Sequence, residues 1–162
     1  MKQKELQGLA PVIDAGCHTL ILGSFPGVAS LAAQQYYAHP RNQFWPIWAA
    51  ILAEPLTELA YPQRLDRLLS HGVGVWDIYA ACVRPGSADS AIEHAQLNDL
   101  AVLKQCAPLL QRIGLNGATA GKLTPALQTL GWSATRLPST SPAYASKSFA
   151  EKLAIWQEWF KR

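Results

Sequence analysis

Four short runs of apolar or β-branched residues constrain this chain most. They are Thr19-Leu20-Ile21-Leu22-Gly23, Gly72-Val73-Gly74-Val75-Trp76-Asp77-Ile78, Arg112-Ile113-Gly114-Leu115-Asn116 and Ser133-Ala134-Thr135-Arg136-Leu137. Each is strand-length, and the first two are apolar enough to be buried on both faces. Helical patterning fills the intervals. Over 42–52, Phe44, Ile47, Trp48, Ile51 and Leu52 fall on helical spacing. Over 61–69, Pro62 sits in a first turn and Gly72 lies beyond the end, the usual start and stop signals. Residues 95–106, 122–130 and 146–160 complete the set. Strands alternating with helices require right-handed crossovers, hence a parallel sheet with helices on both faces. The expectation is an α/β fold, a three-layer α/β/α sandwich around a central four-stranded, mainly parallel sheet. Its ligand should sit beyond the carboxyl ends of the strands.

The chain has 162 residues, enough for one domain at roughly 100–200 residues each, and no linker or repeat divides it. With 49% hydrophobic and 15% charged residues, global disorder is excluded. Cys17, Cys82 and Cys106 are odd in number and far apart. They supply neither a disulfide framework nor a CxxC zinc site, and they point to a reducing compartment. His18, His39, His71 and His94 form no ligand pair, so neither metal nor cofactor is expected. No apolar run reaches 18 residues and the first residues lack a signal-peptide stretch. A cytoplasmic monomer without membrane partners is therefore expected. Residues 1–100 carry six Lys/Arg against nine Asp/Glu, whereas 101–162 carry eight against two. A basic second half suits one face meeting a polyanion, though a solvated basic surface gives the same count.

Four segments hold residue types able to do chemistry. Gly23-Ser24-Phe25-Pro26-Gly27 follows the first strand. Such a turn brings backbone N–H groups close to a ligand, and a plain tight turn needs the same residues. Gln35-Tyr36-Tyr37-Ala38-His39-Pro40-Arg41-Asn42 concentrates polar and aromatic groups in one loop. They suit a flat heterocycle that is stacked and edge-bonded, or alternatively a helix start capped by Asn42. Asp77 ends an apolar strand, where a carboxylate needs partners or a ligand. Pro138-Ser139-Thr140-Ser141-Pro142-Ala143-Tyr144 forms a stiff hydroxyl-bearing loop after the last strand. That loop suits phosphate oxygens, and Ser146 beyond it is expected to cap the last helix.

Taken together, Gly23-Ser24-Phe25-Pro26-Gly27 with Ser30, Tyr36-Tyr37-Ala38-His39-Pro40-x-Asn42-x-Phe44-Trp45, Trp76-Asp77, Arg84-x-Gly86-Ser87-x-Asp89-Ser90 and Ser139-Thr140-Ser141-Pro142-Ala143 resemble the uracil-DNA glycosylase superfamily. They look most like its hypoxanthine (deoxyinosine) branch, over nearly the whole chain. The resemblance implies a monofunctional, base-flipping glycosylase whose partner is DNA containing a deaminated base. It implies a catalytic role for Asn42. It assigns base binding to Gly23, Ser24, Phe25, Pro26 and Gly27, and also to Tyr37, His39 and Asp77, with Asp77 reading the base edge. It assigns DNA contacts to Ser30, Arg84 and Ser87, to Ser139, Thr140, Ser141, Pro142 and Ala143, and to Lys147. Arg136 is a further candidate for phosphate.

Two departures stand out. Other branches place Asp or Asn where Phe25 stands and often His where Leu137 stands. Neither Phe25 nor Leu137 can position water or hold a departing base. Rival readings are a uracil, xanthine or broad-range glycosylase of the same superfamily, a non-catalytic damaged-DNA-binding module, and a small-molecule nucleotide-binding protein.

Overall fold

The computed structural model describes residues 4–162. In chain order the elements are β1 (Leu6–Gln7), β2 (Thr19–Gly23), α1 (Val28–Ala33), α2 (Phe44–Leu52), α3 (Tyr61–Ser70), β3 (Val73–Asp77), β4 (Tyr79–Val83), β5 (Glu93–Leu97), α4 (Leu103–Cys106), β6 (Arg112–Asn116), α5 (Ala118–Gly121), α6 (Thr124–Thr129), β7 (Ser133–Leu137) and α7 (Phe149–Lys161), with short 3₁₀ turns between some of them.

The central sheet runs β3-β2-β6-β7, and every pairing in it is parallel. Side chains alternate across it, as the pleat demands. Leu20, Leu22, Ile113, Leu115 and Ala134 enter one apolar cluster with α4, α5 and α6. Ile21, Val73 and Val75 enter another with α2, α3 and α7, around Phe44, Trp48, Trp156 and Trp159. A sheet buried on both faces between two helical layers is the expected three-layer α/β/α arrangement. Because all four strands point one way, Gly23, Asp77, Asn116 and Leu137 end at one edge. Gly23 is in register with Asp77, and Asn116 with Leu137. The chain leaves β2 toward β3 and leaves β6 toward β7, so the connections diverge above the β2–β6 pair. Such a switch point opens a crevice.

The structure corrects the sequence reading in four places. Residues 95–106 are not one helix. β5 ends at Leu97, a 3₁₀ turn follows, and only Leu103–Cys106 is α-helical. β5 joins β1 and β4 in a small antiparallel sheet, with every residue exposed and so no apolar alternation to betray it. The expected helix over 122–130 is shorter, α6 alone at Thr124–Thr129, with Pro125 in its first turn, and a separate short α5 precedes it. The last helix is capped by Ser148 rather than Ser146: Ser148 Oγ accepts from Glu151 N and Glu151 Oε1 accepts from Ser148 N, both at 3.1 Å, a capping box. Among the described residues, no helix is long and apolar enough to cross a membrane.

Candidate active site

The strand ends and the loops after them enclose a cleft of about 700 Å³. At its floor lies Asp77, 5% exposed. A Cβ at Gly23 would stand 2.5 Å from Asp77 Oδ1 and 3.0 Å from the Tyr37 hydroxyl, so the carboxylate can lie there only over a glycine. Asn98 Nδ2 donates to the Asp77 carbonyl (2.8 Å), which fixes the backbone beneath the side chain. Asp77 Oδ2 is buried without a hydrogen-bond partner among the described residues. An unsatisfied buried acceptor is costly, and at a cleft floor it marks a place for a ligand's donor. Burial pushes the Asp77 pKa up to about 7, the Asp89 charge pushes the same way, and Arg84 partly opposes them. Near neutral pH this carboxyl therefore exists in both forms.

The 34–43 loop forms one wall. Tyr37 adopts a left-handed conformation (φ +55°) and stacks on Phe44, with centroids 4.0 Å apart and planes 13° apart. Its hydroxyl accepts from Asn116 Nδ2 (3.3 Å), and burial raises its pKa. His39 folds into a turn: its Nδ1 accepts from Arg41 N (3.1 Å) and its carbonyl from Asn42 N (2.9 Å). Asn42 Oδ1 accepts from Phe44 N (3.0 Å) at the start of α2. The expected cap at Asn42 is corrected: the N-cap of α2 is Gln43, without a side-chain cap bond, and Asn42 closes a turn just before it. Asn42 lines the cleft, and its Nδ2 has no partner among the described residues.

The opposite wall is the loop after β7. Asn116, at the end of β6, grips Thr140 twice: Oδ1 accepts from Thr140 N and Nδ2 donates to Thr140 Oγ1, both at 3.0 Å. Thr140 O accepts from Gln43 N (2.9 Å), tying both walls together. Ser139 Oγ and Ser141 Oγ accept from Ser141 N (3.1 Å) and Ala143 N (3.2 Å). Pro138 O takes the Trp156 indole N–H (2.9 Å). Lys152, only 2% exposed, extends beneath this turn. Its Nζ is 3.5 Å from Ser141 O and 5.3 Å from the Tyr144 ring centroid, and burial lowers its pKa.

Gly23, Ser24, Phe25, Pro26, Gly27, Ser30, Tyr37, His39, Asn42, Asp77 and Ser87 all line the cleft, as do Ser139, Thr140, Ser141, Pro142 and Ala143. Three expected DNA contacts are placed differently. Arg84 is buried at 5% exposure. It donates to Pro26 O (2.7 Å) and Gly86 O (2.8 Å) and covers the Phe25 ring at 5.3 Å, so its head braces two loops from within. Lys147 lies outside the lining. Arg136 faces a different groove beside α7. Thr140 (1% exposed) and Ser30 (6%) line the cleft while serving as internal ties, since Ser30 Oγ accepts from Ala38 N (3.1 Å). Ser87 Oγ likewise accepts from Val28 N (2.9 Å) at the start of α1.

Sequence reasoning assigned no site role to Asn116, Asp89 or Lys152. Asn116 carried the same signal as Asp77, a polar side chain closing an apolar strand; the burial of Lys152 has no sequence signal. No three His, Cys, Asp or Glu side chains among the described residues stand together as a metal-binding group.

A family profile described as the uracil DNA glycosylase superfamily matches residues 10–160. The chain is 38% identical over 156 residues to the hypoxanthine DNA glycosylase of Methanosarcina barkeri, spanning 96% of this chain and 98% of that one. It is 39% identical over 137 residues to the hypoxanthine DNA glycosylase of Methanosarcina acetivorans, covering 85% and 87%. A solution NMR structure of a candidate uracil DNA glycosylase from Methanosarcina acetivorans superposes with a TM-score of 0.85 at 36% identity, over 96% of this chain and 98% of that one.

Proposed function

Because the chain belongs to the uracil DNA glycosylase superfamily, we propose that it hydrolyses the N-glycosidic bond of a deaminated base in DNA, with hypoxanthine as the substrate. The observation that carries this reading is the unpaired Oδ2 of buried Asp77 at the cleft floor. Hypoxanthine presents an N1–H donor where adenine presents a lone pair. An ionised carboxylate accepts the first and repels the second, and a site built to bond a substrate N–H rejects the analogue lacking it.

The damaged nucleotide must leave the stack to reach that floor, at roughly a few kcal/mol, less when mispaired. Backbone N–H groups of the 23–27 loop suit O6, and Phe25 supplies an aromatic surface for the ring. Tyr37 spends one face on Phe44 and Phe25 one face on Arg84, so each ring has one face to offer the base. As the bond breaks, negative charge grows on the base and positive charge on the sugar. The free Asn42 Nδ2 donates to the leaving base or to the attacking water, where a fixed donor is worth most. An amide does not take up a proton at neutral pH, so Asn42 is no general base. The 139–143 loop, pre-stiffened by Asn116 and Lys152, presses against the strand from which the base has turned. The protein acts as a monomer in the cytoplasm.

Single-turnover cleavage of a deoxyinosine-containing duplex tests the reading. Release of free hypoxanthine by the wild type, lost in Asn42→Ala, is the expected result. An intact glycosidic bond alongside cleavage of a deoxyuridine duplex would overturn the hypoxanthine assignment. That second substrate is favoured by one observation. Uracil's N3–H presents to Asp77, and its O4 to the 23–27 loop, the same donor and acceptor as N1–H and O6 of hypoxanthine.

A further inference from the structure

Attack of water at C1′ is speeded by a group that takes up its proton, and neither Phe25 nor Asn42 can do so. The cleft holds a second carboxylate. Asp89 stands exposed at its mouth, and its Oδ1 accepts a hydrogen bond from Ser24 Oγ at 2.7 Å. Ser24 directly follows Gly23, over which the Asp77 carboxyl lies. One carboxylate is thus buried at the floor and the other is anchored at the entrance above the same loop. The two share one electrostatic compartment, since the Asp89 charge acts on both Asp77 and Tyr37. A nucleotide turned out of a duplex enters base first. Its base edge meets the floor while C1′ and the deoxyribose stay at the mouth.

We infer that Asp89 is the carboxylate that serves the sugar, accepting a proton from the attacking water and stabilising the positive charge that builds at C1′. This rests on the glycosylase reading above. The C1′–N9 bond breaks and its electron pair leaves with hypoxanthine as the anion. The water oxygen bonds to C1′, one water proton passes to Asp89, and solvent carries a proton onward to the base. No other reactant is consumed. Ser24 fixes Oδ1, which leaves Oδ2, without a partner among the described residues, to face the water. DNA covering the mouth excludes solvent and strengthens the charge.

Asp89→Asn keeps an oxygen for Ser24 and removes both charge and basicity, so it separates chemistry from positioning. Single-turnover cleavage of the deoxyinosine duplex would be measured beside affinity for a duplex carrying non-cleavable 2′-fluoro-deoxyinosine. Cleavage should slow by roughly 10²-fold or more, with affinity unchanged or tighter because one negative charge facing phosphate is gone. Asp89→Glu should recover part of the rate. Glu93→Gln, an exposed carboxylate on β5 outside the cleft, should cleave as the wild type. An Asp89→Asn rate within fivefold of wild type overturns the inference, and so does a loss that affinity alone accounts for. A wild type that binds the duplexes but cleaves none of them removes the glycosylase reading itself, and this inference with it.

Discussion

Two concavities of nearly equal size differ in what their polar groups are doing. The cleft at the strand ends measures about 700 Å³, and a groove along β7 and α7 about 740 Å³. The groove is rich in arginine; Arg136 is exposed to water, and the other two are engaged. Arg112 donates to the carbonyls of Trp159 (3.3 Å) and Phe160 (2.6 Å) near the end of α7, and Arg162 pairs with Glu158 at 3.5 Å. The cleft instead leaves a buried carboxylate oxygen and an amide N–H without partners among the described residues. Volume does not separate the two places; a buried acceptor left unfilled does.

The strongest way to break this contrast is Asn42→Ala. It should lower single-turnover cleavage of a deoxyinosine duplex by roughly 10²–10³-fold, the scale of losing one fixed donor at a charge-developing atom. Retention of Asn42→Ala activity would leave the free amide without a job.

Asp77→Asn comes next, with an effect on rate, selectivity and stability together. Loss of a hydrogen bond to a charged group, roughly 1.5–3 kcal/mol, should slow hypoxanthine release about 10- to 100-fold and narrow the preference over adenine. Reading N1–H needs the ionised form. Wild-type kcat/KM should therefore fall as pH drops through about 7, and Asp77→Asn should lack that limb. The stability effect has the opposite sense. The folded pKa of about 7 lies above the ordinary 3.8, so the fold favours the neutral carboxyl. The cost is absent below pH 4 and grows as pH rises to 7, reaching on the order of a few kcal/mol. Asp77→Asn should melt higher than wild type at pH 8 and about equally at pH 4, measured by thermal denaturation.

Smaller effects sharpen the picture. Lys152→Met removes a buried cation, so the melting temperature should hold or rise. Affinity for DNA should nevertheless drop by about three- to tenfold in fluorescence anisotropy as the 141–144 turn loses its underside tie. Arg136→Ala and Arg162→Ala in the groove should leave cleavage within about twofold of wild type, as surface changes away from a site do.

Much of this was legible in the chain because buried strands write plainly. Thr19–Gly23, Arg112–Asn116 and Ser133–Leu137 coincide with the expected runs, and Val73–Asp77 lies within its run. Both core clusters follow from their alternation. The second sheet was not legible, because Glu93–Leu97 is exposed throughout and pairs with Tyr79–Val83 through register shifts. Asp77 stood out as a carboxylate closing an apolar strand. The burial of Arg84 and Lys152 was hidden for a physical reason: long basic side chains read as surface, and only tertiary contacts reveal that their heads tie loops from within. Arg84 and Lys152 therefore shape the cleft from within.

The central claim is that Asp77 reads the N1–H of an everted base, and one substrate pair addresses it directly. Replacing deoxyinosine by its 1-deaza analogue keeps the ring's shape and puts a C–H where N1–H stood. Single-turnover cleavage of the analogue by wild-type protein should be about 10- to 100-fold slower, the worth of a hydrogen bond to a carboxylate, and Asp77→Asn should lose most of that difference. Equal rates on both duplexes would contradict the account.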